Sequence, residues 1–151
     1  MVEIARETVR ISAPPEAVWA VLDDPVAMAR VFPESESVVA EAKDRFRIVA
    51  ATRVMFVKIR IDILATLHDP EPPGHVRLRL EGQPRGYGVS FEASVPIDIA
   101  PASDGGSIVS YSVDLEVHGT LPAFASNAIH DAVRHQAGQT IRNLERELTP
   151  R

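Results

Sequence analysis

The sequence contains no cysteine, no apolar run long enough to cross a membrane and no excess of positive charge. Without cysteine, disulfide bonds, thiolate nucleophiles and cysteine-ligated metals are excluded, and a reducing compartment is favoured. A membrane-spanning helix needs about 20 consecutive apolar residues. The first ten residues alternate charged with apolar side chains, unlike a signal peptide. We therefore predict a cytoplasmic protein with no membrane span.

The charge balance also limits the kinds of partner. With 16 Lys and Arg against 21 Asp and Glu, the net charge is −5. Binding to nucleic acid or to anionic lipid surfaces depends on clustered positive charge, so we expect neither. What is present is 45% hydrophobic and 25% charged residues over 151 positions, which is typical of a folded globular protein. We predict a single domain over residues 1–151.

Strand-like alternation occupies the first segment and the middle of the chain. Val9 and Ile11 alternate with polar residues in a first strand over residues 4–12. Between residues 37 and 117 we predict about five further strands, each with one buried and one solvated face. The clearest case is a strand in which Met55, Val57, Ile59, Ile61 and Ile63 alternate with Lys58, Arg60 and Asp62.

Helical patterns flank this strand-rich region. Pro14 and Pro15 predict the start of a short helix that continues through Leu22, and a second short helix is expected around Met28. From residue 121 to 147, apolar residues recur at spacings of three and four, which predicts one helix about 40 Å long. The pattern indicates an α+β helix-grip fold, in which a curved antiparallel sheet wraps around a long C-terminal helix.

This order of elements, together with several short motifs, resembles a known family. The motifs are Ala13-Pro14-Pro15-Glu16-Ala17-Val18-Trp19, Leu22-Asp23-Asp24-Pro25, Phe32-Pro33, Asp69-Pro70, the glycine-rich stretch 82–88, the segment 106–111 and Val117-His118-Gly119-Thr120-Leu121. They resemble the CoxG-like branch (the CoxG subunit of carbon monoxide dehydrogenase) of the START and polyketide-cyclase superfamily. Glu34 stands where that family has a glycine after Pro33. The resemblance implies a START-like (SRPBCC) fold and a molybdenum-containing dehydrogenase as protein partner.

The pattern of side-chain sizes predicts an internal cavity. The long helix presents small side chains to a curved sheet that cannot close onto all of them. Space therefore remains between helix and sheet unless large sheet residues fill it. Ligand pockets of this kind are mostly apolar, with a few polar groups that orient the ligand. The predicted ligand-binding residues are Met28, Phe32, Val57, Ile59, Leu78, Tyr87, Phe91, Tyr111, Val113, Phe124, Ala128, Ile129 and Ala132. Each of them, taken alone, is better explained as an ordinary core residue, and the prediction rests on the group.

For some of these residues, and for Glu7, the sequence allows more than one role. Tyr111 is placed inside by its parity, and its hydroxyl needs a hydrogen-bond partner, either a ligand carbonyl or a backbone carbonyl. Met28, Phe32 and Tyr87 either gate an opening or cap the core. Glu7 shares the inward parity of its strand, but the strand's edge is expected to leave it in water.

Other kinds of site are disfavoured. His130 and His135 are five residues apart, so they do not share the helix face that a zinc pair uses. The glycine-rich stretch 82–88 lacks the lysine and the helix of a phosphate-binding loop, and no serine stands in a nucleophile-elbow motif. We expect no metal, no cofactor and no catalytic residue. On the outer sheet face, a basic strip (Lys58, Arg60, Arg77, Arg79) beside acidic residues (Glu92, Asp114, Glu116) is either a solvated surface or a docking surface for a protein partner or a homodimer.

Three functions remain open. The leading hypothesis is non-enzymatic binding of a lipid or isoprenoid quinone, as an accessory protein of a carbon monoxide dehydrogenase-like molybdenum enzyme. The second is a polyketide cyclase or dehydratase that uses Tyr111 with Glu7 or Arg53 for acid-base chemistry on an aromatic or polyketide substrate. The third is a protein-interaction adaptor with no ligand.

Overall fold

The computed structural model describes residues 1–54 and 56–149, so Met55 of the predicted fourth strand lies outside the described residues. Within these ranges the chain forms seven strands and three helices. Their bounds, in chain order, are β1 Val2–Ile11, α1 Pro15–Leu22, α2 Pro25–Val31, β2 Ser35–Ala42, β3 Arg45–Val54, β4 Val57–Glu71, β5 His75–Pro84, β6 Ser90–Pro101, β7 Ser107–His118 and α3 Ala123–Leu148.

All seven strands belong to one antiparallel sheet with the order β1-β7-β6-β5-β4-β3-β2. This architecture confirms the α+β helix-grip fold. Between residues 35 and 118 there are six strands where the sequence predicted about five. Strand β2 lies at the sheet edge, is largely exposed, and falls within the strand-rich region that the sequence predicted from residue 37.

Strand register brings the apolar residues onto one face of the sheet. Ala93 of β6 pairs with Leu115 of β7, and both side chains are essentially inaccessible to solvent. Val76 of β5 is fully buried on the same face. Because side chains alternate across a strand, the intervening residues point to the outer face. Full burial of a Val or Leu side chain stabilises the fold by about 1.5–3 kcal/mol.

The two short helices close one end of this apolar face. Pro15 occupies the first turn of α1, and Val18 and Val21 are buried beneath it. The side chain of Asp24 caps α2 by accepting a hydrogen bond from the backbone N–H of Val26 at 2.9 Å. The short helices therefore begin and end as the proline and aspartate positions predict.

Helix α3 lies across the apolar face of the sheet and is held by polar contacts at both of its sides. Arg134 donates to the backbone oxygen of Ile4 in β1 at 2.7 Å, and Asn143 donates to the backbone oxygen of Val31 in α2 at 2.9 Å. The helix begins at Ala123, two residues later than predicted, because Pro122 has an extended backbone. Over the described ranges, no helix combines the length and the apolar character needed to cross a membrane.

Candidate ligand cavity

Burial along α3 shows where the helix and the sheet separate. In this 26-residue helix only Ile141 and Leu144, near its C-terminal end, are buried. Ile129 and Val133 face the sheet but are only half-buried. Leu78 and Leu80 of β5 are half-buried as well, although their parity points them inward. Apolar residues that face each other without burying each other enclose an open space.

This space is a cavity of about 470 Å³. It lies between the inner face of β3–β7 and α3, and α1 and α2 contribute to its wall. Its volume falls in the range of pockets that hold small organic ligands, which is about 300–1,000 Å³. The wall is almost entirely aliphatic and aromatic, so the cavity suits an apolar molecule.

Eleven of the thirteen residues that the sequence predicted for the site line this cavity: Met28, Phe32, Val57, Ile59, Leu78, Tyr87, Phe91, Tyr111, Val113, Ile129 and Ala132. Phe124 and Ala128 do not. Phe124 lies in the first turn of α3 and is 62% exposed, because it is on the side of the helix turned away from the cavity wall that Ala125 lines. Ala128 is one turn further along on the same side of the helix, so it also lies off the cavity wall.

The cavity reaches the surface near the N-terminal end of α3. Val57 and Tyr87 both line it, and their exposed fractions are 49% and 50%. Gly119, just before α3, approaches the backbone oxygen of Gly88 so closely that a side chain there would collide with it. Val57, Tyr87 and the start of α3 therefore surround a mouth, which we call the Tyr87 mouth.

The other two residues considered as a gate lie elsewhere. Met28 is 7% exposed and Phe32 is half-buried, and both belong to α2 or its C-terminal cap. Helix α2 packs against the C-terminal half of α3, where Asn143 contacts Val31. Met28 and Phe32 therefore cap the end of the cavity opposite the Tyr87 mouth, whereas Tyr87 stands at the opening.

Tyr111 forms the polar contact that its buried position predicted, with Glu7 instead of a ligand or backbone carbonyl. Its hydroxyl donates to the carboxylate of Glu7 at 2.8 Å, and the two residues are cross-strand partners in β7 and β1. Burial raises the pKa of Tyr111 above its usual value, and the hydrogen bond to Glu7 raises it further. The phenol therefore stays protonated, and its proton is directed at Glu7 instead of into the cavity. Arg53, the other proposed acid-base partner, is exposed and lies one residue off the inward parity of β3.

Four polar residues on the wall, Thr52, Ser90, Gln136 and Thr140, were not predicted from the sequence, and two of them contact each other. Thr52 of β3 and Gln136 of α3 both line the cavity, and the Gln136 side-chain amide donates to the Thr52 hydroxyl at 3.1 Å. Both could have been found from their positions. Thr52 continues the inward series of Ile48 and Ala50, and Gln136 lies on the apolar stripe of the helix.

The outer sheet face is more balanced in charge than the sequence suggested. Arg60 pairs with Glu36 at 2.7 Å, and Arg79 lies 3.6 Å from Glu92. Glu92, Glu116 and His118 also gather on this face, with candidate ligand atoms within 4.8 Å of one another. Exposed acidic groups commonly cluster without binding an ion, so the cavity remains the candidate site.

Solved structures with the same fold define the class of protein. The Zhui aromatase/cyclase from Streptomyces sp. R1128 matches with a TM-score of 0.72 and 17% identity, covering 95% of this chain and 92% of that chain. A START superfamily protein from Mycobacterium smegmatis matches with a TM-score of 0.70 and 13% identity, covering 95% of both chains. A conserved protein from Geobacillus kaustophilus reaches a TM-score of 0.82 at 20% identity, covering 95% of this chain and 93% of that chain. The fold is that of the START and polyketide-cyclase class.

Within that class, the model of the CoxG family, described as a subunit of carbon monoxide dehydrogenase, matches residues 8–149. The chain belongs to this family, as its motifs predicted. No curated protein is similar enough in sequence to match it.

Proposed function

We propose that the protein binds an apolar ligand, a lipid or an isoprenoid quinone, in the cavity without changing it chemically. The observation that carries this proposal is the cavity itself, about 470 Å³ of space with an almost wholly apolar wall. Removing an apolar molecule from water into such a space is favourable in proportion to the area that is buried. The half-buried side chains of α3 would complete their burial against the ligand.

The Tyr87 mouth supports reversible binding. A ligand enclosed on all sides could leave only if the fold opened, whereas residues at this mouth are already about half exposed. A molecule could therefore enter and leave between the β5–β6 connection and the start of α3. Such exchange is what a carrier requires.

The proposed partner is a carbon monoxide dehydrogenase-like molybdenum enzyme, to which the protein would deliver its ligand. The description of the CoxG family, which refers to a carbon monoxide dehydrogenase, is what supports this partner. The outer sheet face, with its mixture of arginine and acidic residues, offers a surface for such a complex or for a homodimer. A cytoplasmic location completes the proposal, and the absence of cysteine agrees with it.

An enzyme acting on an aromatic or polyketide substrate is the second candidate, and one contact favours it. The Tyr111–Glu7 hydrogen bond holds an exposed carboxylate, as expected at this edge strand, 2.8 Å from a tyrosine of the cavity wall. However, the raised pKa of Tyr111 makes its phenolate rare at neutral pH, which disfavours its use as a base. We therefore place binding first and catalysis second. An adaptor without a ligand does not account for the cavity.

The proposal is tested by filling the cavity. Ile129→Trp adds a large side chain to the wall from α3, and we expect it to weaken binding of the apolar fluorophore N-phenyl-1-naphthylamine by at least about tenfold, or about 1.4 kcal/mol. Asn127→Trp is the matched control, because it introduces the same side chain at an exposed position of the same helix. Equal affinities of the natural protein and Ile129→Trp, with both folded by circular dichroism, would contradict the proposal.

A further inference from the structure

The cavity wall contains very few polar side chains, and two of them are joined to each other. Thr52 lies on the inner face of β3, paired across to Ile59 of β4. Gln136 lies on the inner side of α3 and donates its side-chain amide to the Thr52 hydroxyl at 3.1 Å. Both residues are half-buried and both line the cavity. The Thr52–Gln136 pair therefore forms a polar site on an otherwise apolar wall, where α3 approaches β3.

Apart from Tyr87 at the mouth, the other polar wall residues have hydrogen-bonding groups that are already used or directed away from the cavity. Tyr111 donates its proton to Glu7, and Thr140 donates its hydroxyl proton to the backbone oxygen of Gln136 at 2.8 Å. Ser90, at the start of β6, has the parity of Glu92 and so belongs to the outer series of that strand. None of these three side chains is placed to give a proton to a ligand in the cavity.

Thr52 and Gln136 retain donors of their own. The Thr52 oxygen accepts from Gln136, so its own O–H remains free to donate. The Gln136 amide carries two N–H groups, of which one is used by Thr52. Among residues 1–54 and 56–149, neither the second N–H of Gln136 nor the O–H of Thr52 has a protein acceptor. The pair therefore carries unused donors on an otherwise apolar wall.

We propose that the Thr52–Gln136 pair donates a hydrogen bond to an acceptor oxygen of the ligand, so that the cavity selects apolar molecules that carry a carbonyl group. This inference rests on the proposed function and states which apolar ligands the cavity would prefer. An apolar pocket discriminates poorly between molecules of similar shape, whereas donors left unpaired by the wrong ligand discriminate well. Tyr111, the expected partner of a ligand carbonyl, does not fill that role because its proton goes to Glu7.

A purely structural role for the pair makes a different prediction. The Gln136–Thr52 hydrogen bond also ties α3 to β3, but the helix is tied independently by Arg134 to β1 and by Asn143 to α2. If the pair served only as a tie, its loss would weaken the binding of all ligands equally. If the pair donates to a ligand oxygen, its loss would weaken the binding only of ligands that carry that oxygen.

The test uses two probes of almost the same shape. In 2-acetonaphthone a carbonyl oxygen stands where 2-isopropenylnaphthalene has a CH₂ group. We expect the natural protein to bind the ketone about three- to tenfold more tightly, the range of one net hydrogen bond. In Thr52→Val and Gln136→Leu, this preference should fall to near one, while the affinity for the hydrocarbon stays within about twofold.

Gln139→Leu is the matched control, because it makes the same change on the same helix at a residue that does not line the cavity. It should keep the preference of the natural protein. If both variants retain the preference for the ketone, or lose affinity for both probes equally, the assignment of Thr52 and Gln136 is overturned and the proposed function stands. If the natural protein binds neither probe, the proposed function is overturned together with it.

Discussion

The ring of Phe91 lies directly over Gly82, its cross-strand neighbour. Gly82 is in β5 and Phe91 in β6, and a side-chain carbon built on Gly82 would overlap the ring. The missing side chain lets the ring lie against the sheet instead of standing in the cavity. Because Phe91 lines the cavity, this one glycine preserves part of the space that a ligand would occupy.

Gly82→Ala should therefore damage both stability and binding. The ring of Phe91 must move into the cavity, and overpacking of this kind costs about 1–3 kcal/mol. We expect a lower midpoint in urea denaturation and weaker binding of N-phenyl-1-naphthylamine. Gly88→Ala is the control, since a side-chain carbon at Gly88 would meet nothing within 4 Å. Equal stability of the two variants would show that the Phe91 ring is not held in this way.

Glu34→Gly should make the protein more stable. Glu34 has a φ of 59°, in the left-handed region that costs an L-residue about 1–2 kcal/mol. Glycine adopts this conformation freely but gains entropy in the unfolded chain, so we expect a net gain of about 0.5–1 kcal/mol. Ser37→Gly, at an exposed and paired position of β2, should instead reduce the free energy of unfolding. Loss of stability in Glu34→Gly would mean that the backbone at residue 34 is not strained.

Tyr111 should make stability fall at high pH. The folded protein holds this proton above the ordinary tyrosine pKa of 10.0, because burial and Glu7 raise the pKa of Tyr111. The unfolded chain releases the proton near pH 10, so the stabilising contribution is complete below that pH and declines as the pH rises above it. Tyr111→Phe should show a shallower decline in the free energy of unfolding between about pH 9.5 and roughly 11. Parallel curves for the two proteins would contradict this role.

An apolar ligand should raise the melting temperature. At a free concentration about one hundred times its Kd, a ligand that binds only the folded state stabilises it by about 2.7 kcal/mol. For a chain of this length, the shift in Tm is about 5–10 °C. Differential scanning fluorimetry with 2-acetonaphthone should show the shift in the natural protein and a much smaller one in Ile129→Trp. Equal shifts in both would place the ligand outside the cavity.

Much of the fold was predictable because local signals agreed with the final structure. Proline and aspartate positions set the ends of α1 and α2, and strict alternation identified β4 to β7. The division between β3 and β4 was not predicted, since residues 45–68 contain no proline or glycine that would mark a turn. The start of α3 was placed two residues early because Leu121 fits the helical spacing, although Pro122 keeps the backbone extended there.

Site residues on strands could be predicted from the alternation of inward and outward side chains. Contacts that depend on how distant segments pair could not. Val113 and Leu78 were identified from the alternation of their strands. Phe124 is apolar, but it directly precedes Ala125, and the helical step of about 100° per residue turns it away from the wall that Ala125 lines. Thr52 and Gln136 were overlooked because the prediction favoured apolar residues, whereas a polar residue at an inward position is the more informative exception. The Tyr111–Glu7 bond depends on the pairing of the first and last strands, since the two residues are 104 positions apart.

The most direct test of ligand binding is native mass spectrometry of the purified protein, followed by organic extraction of whatever it carries. We expect a species heavier than the 16.5 kDa chain, either from a co-purified apolar molecule or, after addition of a quinone, from a complex of one ligand with one chain. Extraction should return that molecule chemically unchanged. A protein that carries nothing and forms no complex with added quinone or lipid would contradict the proposed function, and a ligand recovered in altered form would favour the enzyme instead.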